Sequence, residues 1–312
     1  MLCCCTTSSN DQLIEPLAPI PPSHQSSVSG DQLRVREEAL QRCGKVLKML
    51  PRFQTQCADI RVQHLSYTFS VTGEQLPYAL YVPPGYEASK PAPLVVQLHG
   101  LTGTYDRTIA LAVGASGRNL VIDASIRTGA ILLCPLGYHR ASWYGARRRP
   151  VLLPMARFLD RDLTLEGQLG EQDVLEAIEQ VRAAYNIDEA RISLWGHSMG
   201  GAGTMHLAIK HPAKFAAIGL VAPALPTVRT SGAFVYSIED LARIRSLPVM
   251  AINGRRDRLT PAANAQLWAM RMASLGMTHE YIESDDTHES VVKNDDNMAR
   301  LFEFLTRERG GS

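Results

Sequence analysis

The sequence predicts an α/β fold in which a mostly parallel central sheet is covered by helices on both faces. From residue 94 onward, short apolar runs alternate with longer segments of helical periodicity. These runs are continuous rather than alternating, which is typical of parallel strands buried on both sides. Apolar residues make up 45% of the 312-residue chain, which is enough for a sizeable core.

The chain before residue 59 is predicted to lie outside these repeated units. Residues 1–30 are rich in Ser, Pro, Gln and Thr, and we expect a disordered or irregular arm. Asp31 is a candidate cap for a helix over residues 31–52, which Pro51 stops. We expect this helix to pack on the main domain, residues 59–309.

The main domain opens with two strand-like runs, residues 62–71 and 76–82, joined by a turn at 72–75. We expect them to form an antiparallel pair at the start of the sheet. Further strands are predicted at residues 94–98, 130–134, 192–195, 216–221, 249–252 and 279–283. Helices are predicted near residues 107–124 and at 171–185, 261–275 and 295–309. A further helix is predicted to run from the turn at residues 196–200 to residue 210.

The segment 191–204 carries the strongest functional signal. An apolar run turns sharply through Gly196-His-Ser198-Met-Gly200 and continues into small and apolar residues until Pro212 ends the helix. A strand, a tight turn and a helix with serine at the apex form the nucleophile elbow, G-x-S-x-G. Its glycines leave room where a Cβ would collide with the neighbouring strand or helix. Ser198 is therefore the candidate nucleophile.

Two later loops supply the groups that a serine nucleophile needs, a base and an orienting acid. Asp257 follows the predicted strand at 249–252, and His288 follows the predicted strand at 279–283. Both come after the serine, which is the chain order that accompanies a nucleophile elbow. Because the carboxyl ends of parallel strands share one sheet edge, we expect His288 to be the base and Asp257 the acid.

Other candidates for these two roles fit less well. Asp285 and Asp286 are too near His288 in the chain to be placed by a strand end of their own, though either could hold its loop. His197 lies in the elbow and cannot easily turn back onto the serine. His206 and His211 fall on the following helix, away from it.

The turn after the strand at 94–98 is a candidate oxyanion hole. Its sequence is His99-Gly100-Leu101-Thr-Gly103, and a glycine turn there frees a backbone N–H, that of Leu101, to face a substrate carbonyl oxygen. The N–H of Met199, at the helix start, is the second expected donor. His99 is expected to support the loop by a buried hydrogen bond and to border the substrate pocket.

Residues 137–170 fit the alternation of strand and helix poorly. They follow a strand end, so we expect a loop or short cap over the pocket. Tyr138, Trp143 and Tyr144 are candidates to line an acyl or aromatic pocket, with plain packing as the alternative. The basic run at 147–149 is interpreted as a solvated surface, with binding of an anionic substrate group as the alternative.

With Ser198, Asp257, His288 and the turn at 99–101 in place, the chain from about residue 60 resembles the α/β-hydrolase superfamily. Segments 185–188, 254–261 and 286–288 look like those of serine esterases and peptidases close to prolyl oligopeptidase catalytic domains. The nearest likeness is to feruloyl esterase and polyhydroxybutyrate depolymerase-like esterases. The resemblance implies an α/β-hydrolase catalytic domain and an acyl-enzyme mechanism without metal or cofactor.

Composition argues against several other classes of function. A net charge of +1, from 32 basic and 31 acidic residues, gives no electrostatic argument for nucleic acid or an anionic membrane. No run approaches the roughly 18 apolar residues of a membrane span. No spacing of Cys and His suggests zinc. We expect a small-molecule or polymeric ester as substrate, no nucleic-acid partner and no metal; the oligomeric state stays open.

Three of the six cysteines, Cys3, Cys4 and Cys5, stand together at the start of the sequence. The basic start and longer apolar stretch of a secretory signal are missing there, so a cytoplasmic location is favoured. A lipid anchor, or secretion of a processed chain, is the alternative that the cluster leaves open.

These observations together predict hydrolysis of a carboxylic ester with an aromatic or short-to-medium acyl group. One alternative is a small peptidase of the prolyl oligopeptidase type, although blade repeats for its gating propeller are missing. The other is a non-catalytic binding protein with the same fold. The presence of all three triad members argues against this alternative.

Overall fold

The computed structural model describes residues 62–101, 103–110, 112–148 and 164–309, together with Arg34. The predicted arm at residues 1–30, the predicted helix at 31–52 apart from Arg34, and residues 149–163 of the predicted cap lie outside this part of the chain. Within it, three successive strands come first, and from Ala92 to Thr306 strands are separated by helices or short helical turns.

The strands of the described part form one sheet. They are β1 (Gln63–Thr68), β2 (Gln75–Tyr81), β3 (Ala92–Leu98), β4 (Ile131–Pro135), β5 (Ile187–His197), β6 (Ala217–Val221), β7 (Val249–Gly254) and β8 (His279–Ser284). Their order across the sheet is β1-β2-β4-β3-β5-β6-β7-β8. β2 is antiparallel to both of its neighbours, β1 and β4, and all other pairs are parallel. This is an α/β-hydrolase fold, as the sequence predicted.

The principal helices are α1 (Tyr105–Ala110), α2 (Leu120–Thr128), α3 (Thr164–Ala184), α4 (Met199–Lys210), α5 (Ala262–Ser274) and α6 (Asp295–Thr306). They cover both faces of the sheet, and each face has its own apolar core. Successive strand side chains point to opposite faces, so Leu94 and Val96 belong to one core and Val95 to the other. Burial on both sides explains why the strand sequences are continuously apolar.

The helical region predicted near residues 107–124 consists of two helices, α1 and α2, with a turn between them. Gly117, at φ 76°, adopts a left-handed conformation in that turn. Asn119 then caps α2, because its side-chain oxygen accepts hydrogen bonds from the N–H groups of Val121 and Ile122, both at 3.2 Å. The apolar spacing runs across the turn, which hides the interruption.

The described part of helix α3 includes Thr164, seven residues before the predicted start at Glu171. Its first two turns contain Gly167 and Gly170, and glycine is a poor helix former. These glycines allow close packing: a Cβ on Gly167 would lie 2.9 Å from the Cα of Gly145, and one on Gly170 would lie 2.7 Å from the carbonyl oxygen of Gly137. The end of the predicted cap is therefore part of a core helix.

Candidate active site

Ser198 lies at the apex of a strained turn between β5 and α4. Its φ and ψ are 58° and −116°, an unfavourable conformation for a residue with a side chain. Gly196 and Gly200 make the turn possible, because a Cβ on Gly196 would collide with the backbone of Gly200. One on Gly200 would lie 2.9 Å from the carbonyl oxygen of His99. The elbow therefore packs directly against the end of β3.

The loops after β7 and β8 bring a histidine and a carboxylate together. The two strands are parallel neighbours whose ends, Gly254 and Ser284, are paired, so the following loops leave the same sheet edge. Nδ1 of His288 lies 2.7 Å from Oδ2 of Asp257, and both residues are buried. An ionised carboxylate only accepts, so Nδ1 carries the hydrogen and Nε2 is left as a proton acceptor.

Asp257 is held as a carboxylate by a set of short hydrogen bonds. Its Oδ1 accepts from the N–H groups of Leu259 and Thr260, both at 2.8 Å, and its Oδ2 is 2.7 Å from the Thr260 hydroxyl. Burial by itself would raise the pKa of Asp257, but the hydrogen bonds from Thr260 and His288 outweigh it and lower that pKa. Thr260 is a site residue that the sequence interpretation missed; its one signal is its place three residues after an aspartate.

The elbow also adjoins the loop that carries His288. Nε2 of His197 lies 2.8 Å from the backbone oxygen of His288, and the centroids of the two rings are 4.6 Å apart. Asp286 holds the same loop, since it accepts from the Ser290 hydroxyl at 2.7 Å and from the Asn294 amide at 2.9 Å. Ser198 and His288 are thus carried on loops in direct contact.

The turn after β3 lies beside the serine, as expected for an oxyanion hole. A Cβ on Gly100 would be 3.6 Å from the Cβ of Ser198, and the turn is closed by a hydrogen bond from Gly103 N–H to Gly100 O. Met199 provides the first N–H of α4, which has no acceptor within the helix. The Leu101 N–H donates to no backbone acceptor among the described residues. The roles of these two groups stay predictions.

His99 supports this turn from below. Its Nδ1 lies 2.8 Å from Gly100 O and its Nε2 lies 2.7 Å from Leu136 O. Burial lowers its pKa, and the ring is 1% exposed. A neutral ring has one N–H and donates to one of these two oxygens, and its position places it between the ends of β3 and β4. The predicted structural role fits this geometry better than the predicted place at the pocket wall.

The three aromatic residues proposed for the pocket are engaged in packing. Tyr144 is fully buried, with its ring against Gly137 and Gly203, and its hydroxyl donates to His99 O. Trp143 is 4% exposed and packs among core residues. Tyr138 is half-buried, and its hydroxyl donates to a carboxylate oxygen of Glu74 at 2.9 Å. The packing alternative fits Trp143 and Tyr144 in this structure, and a place for them at a substrate pocket stays a prediction.

Arg147 also departs from the expected solvated surface. It is 7% exposed, and its guanidinium carbon lies 4.7 Å from the centre of the Trp143 ring and 4.6 Å from that of Phe234. Burial lowers its pKa. This geometry is a cation–π sandwich that fastens the segment after β4 to the loop after β6. Arg148 is exposed, as expected, and Arg149 lies outside the described residues.

His206 and His211, set aside as bases, contact a buried carboxylate instead. Their Nε2 atoms lie 3.1 Å and 2.8 Å from Glu171, which also accepts from Lys210 at 2.9 Å.

In the part of the chain that the structure describes, no group of three or more His, Cys, Asp and Glu side chains is arranged to hold a metal ion. No helix in that part is both long and apolar enough to span a bilayer.

Comparison with solved structures shows the same fold in several esterases. An S-formylglutathione hydrolase from Agrobacterium tumefaciens aligns with a TM-score of 0.59 at 18% identity, over 80% of this chain and 98% of its own. A CE1 ferulic acid esterase from Anaeromyces mucronatus aligns with a TM-score of 0.59 at 16% identity, over 82% and 97%. At these identities the likeness shows the fold alone.

Sequence comparison adds a relative and a family. A rat (Rattus norvegicus) S-formylglutathione hydrolase is 28% identical over 156 residues, which are 48% of this chain. The match spans 52% of the length of that relative. The Esterase family model matches residues 70–300, which include the elbow and both loops that carry the acid and the histidine. The chain therefore belongs to the Esterase family.

Proposed function

We propose that this protein is a serine hydrolase of carboxylic esters that acts through an acyl-enzyme, with Ser198, His288 and Asp257 as its triad. The observation that carries the proposal is the buried contact of 2.7 Å between Asp257 and His288 on loops beside the elbow. It fixes the hydrogen on Nδ1 and leaves Nε2 to accept a proton. Membership of the Esterase family supports the same chemistry.

In this mechanism Ser198 Oγ bonds to the ester carbonyl carbon while its proton passes to His288 Nε2. The carbonyl oxygen becomes an oxyanion that accepts from the N–H groups of Leu101 and Met199. The carbon–oxygen bond to the alcohol then breaks, and the alcohol leaves with the proton from His288. Water attacks the acyl-enzyme in turn, gives its proton to His288, and releases the acid as Ser198 is reprotonated.

A groove lies beside His288 on the side of Asp257. It has a volume of about 520 Å³ and is lined by Asp257, Leu259, Thr287, Glu289 and the arginines 255, 256 and 258 together with His288 itself. Asp257 is among its walls, so the groove adjoins the Nδ1 side of the His288 ring.

The nucleophile is tested by Ser198→Ala. We expect turnover of p-nitrophenyl acetate to fall by roughly 10⁴-fold or more, because the remaining groups cannot form the acyl-enzyme. The matched control is Ser231→Ala, which changes an exposed serine in a short 3₁₀ turn and leaves turnover unchanged. Activity of the Ser198 variant within tenfold of the wild type would overturn the assignment.

The substrate class is tested by a panel of esters. Two similar proteins are named for ferulic acid esters and for S-formylglutathione, so the panel contains a feruloyl ester, S-formylglutathione and p-nitrophenyl esters of two to eight carbons. We propose that kcat/KM is highest for an aromatic or short-to-medium acyl group. A p-nitroanilide is included, and a preference for it over every ester would favour the peptidase alternative.

A further inference from the structure

His197, the residue before the nucleophile, contacts the proposed base directly. Its Nε2 lies 2.8 Å from the backbone oxygen of His288, and the ring centroids are 4.6 Å apart with an interplanar angle of 43°. His197 has no role in the proposed acyl-enzyme mechanism. The contact joins the elbow to the loop after β8 that carries His288, which we call the base loop. The two residues are 91 positions apart in the chain.

The protonation state of His197 follows from its surroundings. Burial, and after it the neighbouring His288 ring, lower its pKa to about 4, against the opposing effects of the His288 carbonyl and the Asp257 charge. The ring is therefore neutral near pH 7. Since a carbonyl oxygen only accepts, the one hydrogen is on Nε2, and Nδ1 carries a lone pair.

The same ring also borders the proposed oxyanion turn. A Cβ on Gly100 would lie 3.6 Å from Nδ1 of His197 and 3.4 Å from its backbone oxygen. His197 therefore lies between the turn after β3 and the loop after β8, and is covalently joined to the serine. A side chain in this place sets the spacing of all three loops.

Asp257 alone does not fix the imidazole of His288. It binds one ring nitrogen, about which the ring and its loop can still shift. A contact to the backbone of His288 itself restricts that movement further, beside the hydrogen bonds of Asp286. Displacement of a catalytic group by about 1 Å can cost on the order of 100-fold in rate.

We propose that His197 is a positioning residue for His288: as a neutral ring protonated on Nε2, it donates to the His288 backbone oxygen and supports the face of the His288 imidazole. It neither touches substrate nor exchanges a proton with it. Being neutral, it adds no positive charge next to His288 when that ring is protonated in the transition state. The inference rests on the proposed function of the triad.

Two substitutions separate the hydrogen bond from the bulk of the ring. His197→Gln keeps an N–H donor of similar reach, and His197→Leu keeps apolar volume without a donor. We expect the Leu variant to lower kcat for p-nitrophenyl acetate by roughly 10- to 100-fold with KM within about threefold, and the Gln variant to recover most of the loss. His279→Leu is the control, since His279 is a half-buried histidine at the far end of β8.

The outcomes are decisive in both directions. The proposal is overturned if His197→Leu keeps the wild-type kcat. It is also overturned if His197→Gln and His197→Leu lose kcat equally and lower Tm equally. If the variants do not fold, ¹⁵N NMR of the wild type with labelled histidine decides. A ring protonated on Nε2 with a pKa near 4 supports the proposal, whereas one protonated on Nδ1, or titrating near 6.5, overturns it. If the wild type hydrolyses no ester, the proposed function fails, and the NMR result still tests the contact.

Discussion

Asp257 shows how single residues set the chemistry of the site. Its carboxylate is buried, a position in which desolvation raises the pKa, but hydrogen bonds from Thr260 and His288 lower that pKa instead. A carboxylate held ionised in this way keeps the hydrogen of His288 on Nδ1. Orientation of the base therefore depends on a charge that the loop itself maintains.

Removal of that charge gives the residue-scale prediction. We expect Asp257→Asn to lower kcat by roughly 10³- to 10⁴-fold, because an amide N–H opposite Nδ1 favours the wrong tautomer of His288. Turnover of p-nitrophenyl acetate at several pH values measures it. The control is Asp285→Asn, which changes an exposed aspartate on the base loop that pairs with Arg256. Equal effects from the two substitutions would contradict the role given to Asp257.

At the scale of elements, Glu171 joins α3 to the helix that carries the nucleophile. Its carboxylate is nearly buried and accepts from His206, Lys210 and His211. Burial acts to raise its pKa, but these three hydrogen bonds dominate and lower the pKa from 4.5 to about 2. A folded-state pKa below the unfolded one means that the ionised group stabilises the fold.

This linkage predicts a pH-dependent loss of stability in Glu171→Gln. At pH 7 we expect the free energy of unfolding to fall by roughly 2–4 kcal/mol, since donors are left facing a neutral amide. The difference from wild type is full above about pH 4.5 and shrinks as the pH falls toward 2, where the wild-type carboxyl is protonated. Urea unfolding at pH 7 and pH 3 measures it. Glu179→Gln, an exposed change on the same helix, is the control, and an equal loss in both variants would refute the linkage.

At the scale of the molecule, the fold was predictable from the sequence because its strands are local and strongly patterned. β3 and β7 lie within two residues of their predicted bounds. The proximity of Asp257 and His288 also follows from local information, since both come after strands that end at one sheet edge. The predicted strand ends and the chain order were enough to bring these two candidate residues together.

Features that depend on packing between distant segments could not be predicted in the same way. The first turns of α3 contain glycines that local propensity disfavours, and only the close approach of Gly145 and Gly137 explains them. Tyr144 has an aromatic side chain of the type that lines pockets. Its positive φ and the glycines opposite it place its ring in the core. His197 was set aside as a base, and its contact with the His288 backbone joins residues 91 positions apart.

The proposed mechanism requires that Ser198 is an activated nucleophile. Its most direct test is the reaction of the folded wild-type protein with a fluorophosphonate probe, followed by intact mass and peptide mapping. We predict a single adduct on Ser198 that is absent from Ser198→Ala and forms far more slowly in His288→Ala, because the base is needed to activate the hydroxyl. An adduct that persists in Ser198→Ala, maps to another residue, or forms at the wild-type rate without His288 would contradict the assignment of Ser198 as the nucleophile and His288 as its base.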